Sequence, residues 1–148
     1  MDPFDDRFFM KKALDEAEKA FEKGEVPIGA VIVIKNQVIA RAHNLTETLN
    51  DVTAHAEMQA ITAAANFLGG KYLKDCTLYV TLEPCQMCAG ALFWSQVSKV
   101  VYAARDEQRG CIAMQTKLHP KTVMEGGLME DEASHLLTRF FIEKRNLN

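Results

Sequence analysis

The chain has 148 residues, of which 48% are hydrophobic and 25% are charged, and these values predict one globular domain spanning residues 1–148. A net charge of -3 argues against a wholly basic nucleic-acid-binding surface, although it is compatible with a local basic patch. No apolar run approaches the ~20 residues of a membrane span. The acidic N-terminus lacks the features of a secretory signal, so we expect a cytoplasmic protein that does not enter a membrane.

The first half of the chain predicts a helix, a β-hairpin and a second helix. Apolar residues recur at helical spacing over residues 5–23, which indicates the first helix. The β-branched run 28–34 predicts a buried strand, and residues 38–42 return as the second strand of the hairpin. Good helix formers then fill residues 54–68, and glycines follow them as a stop signal.

The second half predicts strands at residues 77–82 and 99–103, with a helix from Pro84 to about residue 94 between them. Residues 105–121 are expected to be irregular and to lead to a short strand at 122–124. The last helix, 130–145, carries an apolar stripe of Ala133, Leu136, Leu137, Phe140 and Phe141. This order predicts an α/β fold in which a mixed, mostly five-stranded sheet lies between two layers of helices.

Three residues have the chemistry and spacing of zinc ligands. His55 lies in the stretch 53–57, and Cys85 and Cys88 occur later in the run Pro84-Cys85-Gln86-Met87-Cys88. Structural zinc sites usually close four protein ligands around the metal, whereas catalytic sites supply three and leave a position for water. The pattern therefore predicts one catalytic zinc ion per chain.

Glu57 follows His55 by two residues and is the candidate catalytic residue. Zinc lowers the pKa of its bound water toward ~7. Glu57 would take the proton of that water and transfer it to a nitrogen atom in the ring of the substrate. The predicted helix start at Cys85 favours the thiolates that the metal needs. Together, the motifs H-x-E and P-C-x-x-C are typical of zinc nucleoside and nucleobase deaminases.

Two other interpretations of the cysteines are possible. The Cys85 and Cys88 pair alone would suit a redox site, but that interpretation leaves His55 and Glu57 unexplained. A non-catalytic structural zinc site would need a fourth ligand. Candidates for that ligand are His43, Cys76 and Cys111. Both of these cysteines are otherwise expected to be plain thiols in or near the core.

The resemblance to one known family extends well beyond the zinc motif. The chain resembles the bacterial tRNA-specific adenosine deaminases of the TadA type, within the zinc-dependent cytidine and deoxycytidylate deaminase superfamily. The segments that carry this resemblance are 24–31, 51–57, 81–91, 104–106 and 140–145, together with Asn44. The Glu25-Val26-Pro27 turn, the Ala104-Arg105-Asp106 run and the tail select the tRNA branch of the superfamily.

The resemblance implies a cytidine-deaminase-like fold and hydrolysis of adenosine to inosine at the wobble position of a tRNA anticodon. It also implies a homodimer whose active sites are each completed by the partner subunit. The substrate contacts that it implies come from Asn44, the backbone of Ala54, a pocket wall of Val26, Pro27 and Ile28, and Asp106 near the flanking nucleotide.

Basic residues near the C-terminus offer a separate argument for an anticodon stem-loop as partner. The expected contacts with the RNA backbone are Arg105, Arg109, Lys117, Lys121, Phe141, Lys144 and Arg145. The alternative function is deamination of a free base or nucleoside such as guanine or cytosine, because Phe93-Trp94 resembles the base-deaminase branch.

Overall fold

The computed structural model describes residues 4–147 as an alternation of helices and strands. The helices are α1 (Asp6–Glu22), α2 (Ala56–Leu68), α3 (Gln86–Ser95) and α4 (Glu130–Asn146). The strands are β1 (Gly29–Ile34), β2 (Gln37–His43), β3 (Thr77–Leu82), β4 (Lys99–Ala104) and β5 (Val123–Gly126). Every predicted element is present in the predicted order, and the predicted α/β fold class is confirmed.

The five strands form one mixed sheet in the order β2-β1-β3-β4-β5. Strand β1 is antiparallel to both β2 and β3, whereas β3, β4 and β5 run parallel to one another. The start of β1 and the ends of β2, β3 and β4 therefore meet at the same edge of the sheet. Segments that leave this edge converge in space although they are far apart in sequence.

Helices cover both faces of the sheet and create two apolar cores. On one face, α2 and α3 pack through residues such as Ala60 and Leu92 against Ile32 and Val100. On the other face, α1 and α4 pack through residues such as Phe9 and Ala133. The result is the three-layer α/β/α arrangement that the sequence predicts.

Gly29 allows helix α1 to lie unusually close to the sheet. A Cβ atom at this position would overlap the carbonyl oxygen of Ala13 and the backbone nitrogen of Ala17. The backbone nitrogen of Gly29 donates to the hydroxyl of Thr81, 3.1 Å away in β3. Glycine is therefore required where β1 begins.

The structure corrects two details of the sequence interpretation. Helices α2 and α3 begin one residue after His55 and Cys85, which are their N-caps and not residues of the first turn. The predicted apolar stripe of α4 is divided, because Phe140 is buried against Phe21 while Phe141 is 48% exposed. Within residues 4–147, no helix is both long enough and apolar enough to cross a bilayer.

Candidate active site

The two helix starts bring the three predicted zinc ligands together. His55 Nδ1 lies 3.7 Å from Cys85 Sγ and 3.5 Å from Cys88 Sγ. A tetrahedral zinc ion with Zn–S bonds of ~2.3 Å and Zn–N bonds of ~2.0 Å separates its nitrogen and sulfur ligands by roughly 3.5 Å. The spacing and the donor set of two sulfurs and one imidazole nitrogen therefore fit zinc.

The electrostatics of the cysteine pair favour metal binding. A hydrogen bond from Cys88, assisted by His55, lowers the pKa of the Cys85 thiol to about 4. The same hydrogen bond and burial raise the pKa of Cys88, so the two sulfurs share a proton that a metal ion would displace. Contact with Cys85 raises the pKa of His55.

Glu57 is buried beside this group of ligands at only 4% exposure. Burial, helped by the negative charge of the nearby Cys85, raises the pKa of Glu57 to about 7, against the opposing effect of His55. A carboxyl group whose pKa lies close to neutral pH can both accept and return a proton. Glu57 is thus poised for general acid–base chemistry.

The candidates for a fourth protein ligand lie elsewhere. His43 contacts Glu16 and Lys23 through its two ring nitrogens. Cys76 is buried in the core, and Cys111 directs its thiol toward the carboxylate of Glu83. Among residues 4–147, the group able to hold a metal here consists of His55, Cys85 and Cys88 alone. This composition fits a catalytic site better than a structural one.

A cavity of about 700 Å³ opens onto the metal-binding group. Its lining combines His55, Glu57 and Cys85 with segments from the shared sheet edge and with the exposed face of α4. The other lining residues are Val26, Ile28, Asn44, Thr46, Leu82, Glu83, Arg105, Asp106, Glu107, Gln108, Arg109, Leu137 and Phe141. Most known small-molecule sites have volumes of roughly 300–1,000 Å³, so a nucleoside fits within this space.

The predicted substrate contacts fall into two groups. Val26, Ile28, Asn44 and Asp106 line the cavity. Pro27 and Ala54 are buried outside its lining. The backbone of Ala54 already has internal partners, since its nitrogen donates to Asp51 and its carbonyl accepts from Leu45 and Gln59. Base recognition by these residues stays a prediction.

The predicted RNA-facing residues also divide. Arg105, Arg109 and Phe141 line the cavity that contains His55, Glu57 and Cys85. Lys144 and Arg145 are exposed in the last turn of α4. Lys117 lines a different cavity of about 660 Å³ between the β4–β5 connection and the sheet, and Lys121 lies in neither lining.

Two buried carboxylates beside the cavity were not predicted from the sequence. Glu25 accepts hydrogen bonds from Thr48 N and Oγ1, both at 2.6 Å, and from Glu47 N at 3.1 Å. Glu83 accepts from the backbone nitrogens of Asp106 and Ile112 at 3.1 and 2.9 Å. Glu83 directly follows β3, whereas Glu25 lies in the connection between α1 and β1. Both are buried, and a buried charge needs such hydrogen-bond partners.

Relatives of known activity identify the family. The family model of the MafB19-like deaminases matches residues 4–148. The tRNA-specific adenosine deaminase of Bacillus subtilis (strain 168) is 48% identical over 146 residues, which are 95% of this chain and 91% of the relative. The chain belongs to the tRNA-specific adenosine deaminase family.

Solved structures agree with this membership. A structure from studies of A-to-I editing by tRNA:A34 deaminases matches with a TM-score of 0.82 at 43% identity, over 87% of this chain and 98% of that one. Guanine deaminase from Nitrosomonas europaea matches with a TM-score of 0.79 at 25% identity, over 92% of this chain and 84% of the other. The chain is a hydrolytic deaminase with the cytidine-deaminase-like fold.

Proposed function

We propose that this deaminase converts adenosine to inosine at the wobble position of a tRNA anticodon in the cytoplasm. The observation that carries the proposal is that one cavity is lined both by His55, Glu57 and Cys85 and by the exposed residues Arg105, Arg109 and Phe141. Residues suited to deamination would act on an extruded base, while the exposed cations and the aromatic ring would contact the neighbouring phosphates and bases.

The metal would be one zinc ion held by His55, Cys85 and Cys88. When bound, zinc supplies hydroxide at neutral pH for attack on the amino-bearing carbon of the base. Glu57 accepts the proton of the attacking water, delivers it to a ring nitrogen and assists departure of ammonia. Its burial keeps bulk water away from these transfers, and general acid–base catalysis of this kind contributes about 10²–10⁴ in rate.

The walls of the cavity would orient the nucleoside. Val26 and Ile28 offer apolar contact with the flat faces of the base, and the Asn44 amide offers one acceptor and two donors. Asn44 is 5% exposed, and its backbone nitrogen donates to Ile28 at 3.0 Å, so its position is firmly set. Pro27 would support this wall from behind.

The deciding experiment compares an anticodon stem-loop containing adenosine with free guanine, cytosine and cytidine. Inosine and ammonia should form from the stem-loop in a zinc-dependent reaction, while the small substrates remain unchanged. The guanine arm matters because of the likeness to the Nitrosomonas europaea guanine deaminase. Deamination of guanine with no reaction on the stem-loop would replace this proposal with that alternative.

We also propose that the active protein is a homodimer, as the family resemblance implies. The loop before α2 and the helices α2 and α3 expose large apolar side chains, and exposed apolar patches often mark protein–protein interfaces. These are Leu49 (55% exposed), Val52 (84%), Phe67 (60%) and Trp94 (76%). A second copy of the chain on this face would bury them.

A further inference from the structure

Residues 105–112, which we call the rim loop, border the cavity on the side away from Asn44. Arg105, Glu107, Gln108 and Arg109 are exposed and line the cavity mouth. The Asp106 side chain accepts from the nitrogens of Gln108 and Arg109 at 3.2 and 3.0 Å, which closes a tight turn at the tip. The position of the whole turn nevertheless depends on what its two ends contact.

Both ends of the rim loop are held by one side chain. Glu83 Oε1 accepts from the nitrogen of Asp106 and Oε2 accepts from the nitrogen of Ile112. Glu83 is 2% exposed, and its own backbone nitrogen donates to Ala104 at 2.8 Å. A buried carboxylate that accepts two backbone N–H groups makes charge-assisted bonds stronger than ordinary backbone pairs.

The contact between the carboxylate and the loop is tightly packed. A Cβ atom on Gly110 would overlap the Glu83 carboxylate and the carbonyl oxygen of Asp106. Gly110 also forms an isolated antiparallel bridge with Cys85, and the nitrogen of Cys111 donates to the carbonyl of Pro84 at 2.8 Å. The rim loop is thus fastened to the segment that carries a metal ligand.

We propose that Glu83 is a positioning residue for RNA binding, acting through the rim loop. By holding residues 106 and 112 it presents Arg105 and Arg109 to the phosphates that flank the extruded nucleoside. It has no part in the proton transfers, which belong to Glu57. This inference rests on the proposed function, since it requires a substrate with a phosphate backbone.

The variant Glu83→Gln tests the proposal because it keeps the shape of the side chain. An amide retains one acceptor oxygen but turns an NH₂ group toward the other backbone N–H. Binding of the stem-loop is measured in a Glu57→Gln background so that no turnover occurs. We expect roughly tenfold weaker binding, as for loss of a hydrogen bond to a charged group.

The salt dependence separates a positioning role from a general loss of folded protein. If Arg105 and Arg109 no longer contact phosphates of the RNA, the slope of log Kd against log salt concentration should fall by about 1–2. A merely destabilised protein would lose active fraction while keeping the wild-type slope. Amide hydrogen exchange should also become faster in residues 105–112 of the zinc-loaded protein.

Two further variants make the test specific. Gly110→Ala disturbs the same contact from the loop side and should reproduce the lower slope and the faster exchange. Glu16→Gln is the matched control, because this buried carboxylate bonds Lys19 and His43 on α1 and β2 rather than the rim loop. It should leave the salt slope and the exchange of residues 105–112 unchanged.

The possible outcomes are distinct. A wild-type salt slope and wild-type loop exchange in Glu83→Gln would overturn the inference while leaving the proposed function intact. Loss of zinc from both Glu83→Gln and Gly110→Ala would also overturn it, since the contact would then hold the metal site. A parent protein that neither binds nor deaminates the stem-loop would refute the proposed function, and the RNA role of Glu83 with it.

Discussion

In the proposed mechanism, the metal ligands and the proton carrier are different side chains. His55, Cys85 and Cys88 use their nitrogen and sulfur atoms within one small group, whereas the Glu57 carboxylate is buried alongside with a pKa raised to about 7. Metal binding and proton transfer are therefore separable by mutation. A change at Glu57 should affect the reaction rate without removing any metal ligand.

The variant Glu57→Gln should retain zinc and bind the stem-loop but lose deamination by at least about 100-fold, because an amide cannot accept and return the proton. Metal content by elemental analysis and single-turnover inosine formation provide the measurement. Cys88→Ser is the contrasting variant and should lose zinc together with activity. More than a tenth of the wild-type rate in Glu57→Gln would exclude the shuttle role.

The group of candidate zinc ligands was predictable because few residue types bind zinc and the spacing of such ligands is restricted. Glu25 and Glu83 were not identified in the same way. Their partners are backbone N–H groups in distant loops, such as those of Thr48 and Ile112. Backbone donors carry no sequence signature, so these contacts become visible only in the fold.

At the scale of elements, Glu25 connects two loops. It lies between α1 and β1, and it accepts hydrogen bonds from residues of the loop that follows β2. Burial alone would raise the pKa of Glu25, but hydrogen bonds from Thr48 and Glu47 outweigh burial and lower the pKa below its ordinary value of 4.5. A carboxyl group with a lowered pKa in the folded state stabilises the fold above its unfolded pKa. This stabilisation is lost as the pH falls through the folded value.

We expect Glu25→Gln to reduce the free energy of unfolding at neutral pH and to flatten its dependence on pH below 4.5. Urea denaturation at a series of pH values between neutral and acidic measures both effects. Glu18→Gln, on the exposed face of α1, is the matched control and should follow the wild-type curve closely. Parallel curves for Glu25→Gln and wild type across the acid range would contradict the assigned hydrogen bonds.

Helix α4 combines a buried stripe with an exposed, basic end. Phe140 packs against Phe21 and Arg139 lies 4.3 Å from the ring of Phe21, which holds this helix against α1. Phe141 turns toward the cavity while Lys144 and Arg145 remain exposed beyond it. Periodicity placed both phenylalanines on one stripe, but the pattern could not show which one packs against α1 and which one lines the cavity.

The charge-reversal pair Lys144→Glu and Arg145→Glu should raise the KM for the stem-loop and lower the salt slope of binding by about 2, one for each cation removed from a phosphate. Zinc content should be unchanged and the protein should stay folded. A small decrease in Tm is expected, because both cations lie at the C-terminal end of α4 and Lys144 Nζ lies 5.5 Å from the Phe140 ring. Lys71→Glu with Lys74→Glu is the control, since these exposed lysines follow α2 at the opposite sheet edge. Equal KM values for the two double variants would show that Lys144 and Arg145 of α4 do not bind the RNA.

At the scale of the whole molecule, the order of elements was enough to predict the three layers, because alternation of apolar helices and strands permits few arrangements. The common sheet edge also depends on the antiparallel pairing of β1 with β3, whereas the predicted hairpin specified only the pairing of β1 with β2. That edge explains how His55 and Cys85 meet. The cavity around Lys117 depends on the path of the irregular segment between β4 and β5, which periodicity does not predict.

Burial of the α2–α3 face by a second copy predicts a specific oligomeric change. Trp94→Glu should convert a dimer into a monomer at micromolar concentration, because a charge at a buried apolar contact carries a desolvation cost. Sedimentation velocity measures the result. Val123→Glu is the control, since Val123 is also exposed, at 53%, but lies on β5. An unchanged dimer in Trp94→Glu, or a wild-type monomer with full activity, would refute the proposed interface.

The placement of His55 and Cys85 as N-caps links the metal to the folding of the chain. Side chains at this position usually satisfy a free N–H of the first turn, and replacement of a good cap costs ~1 kcal/mol. Neither His55 nor Cys85 makes such a hydrogen bond. Both helix starts therefore lack the usual side-chain cap, and a bound metal ion would hold them together instead.

We expect a strong chelator to destabilise this chain and to lower its Tm. Amide hydrogen exchange should become faster first at the starts of α2 and α3. An unchanged Tm after complete removal of zinc would refute this expectation.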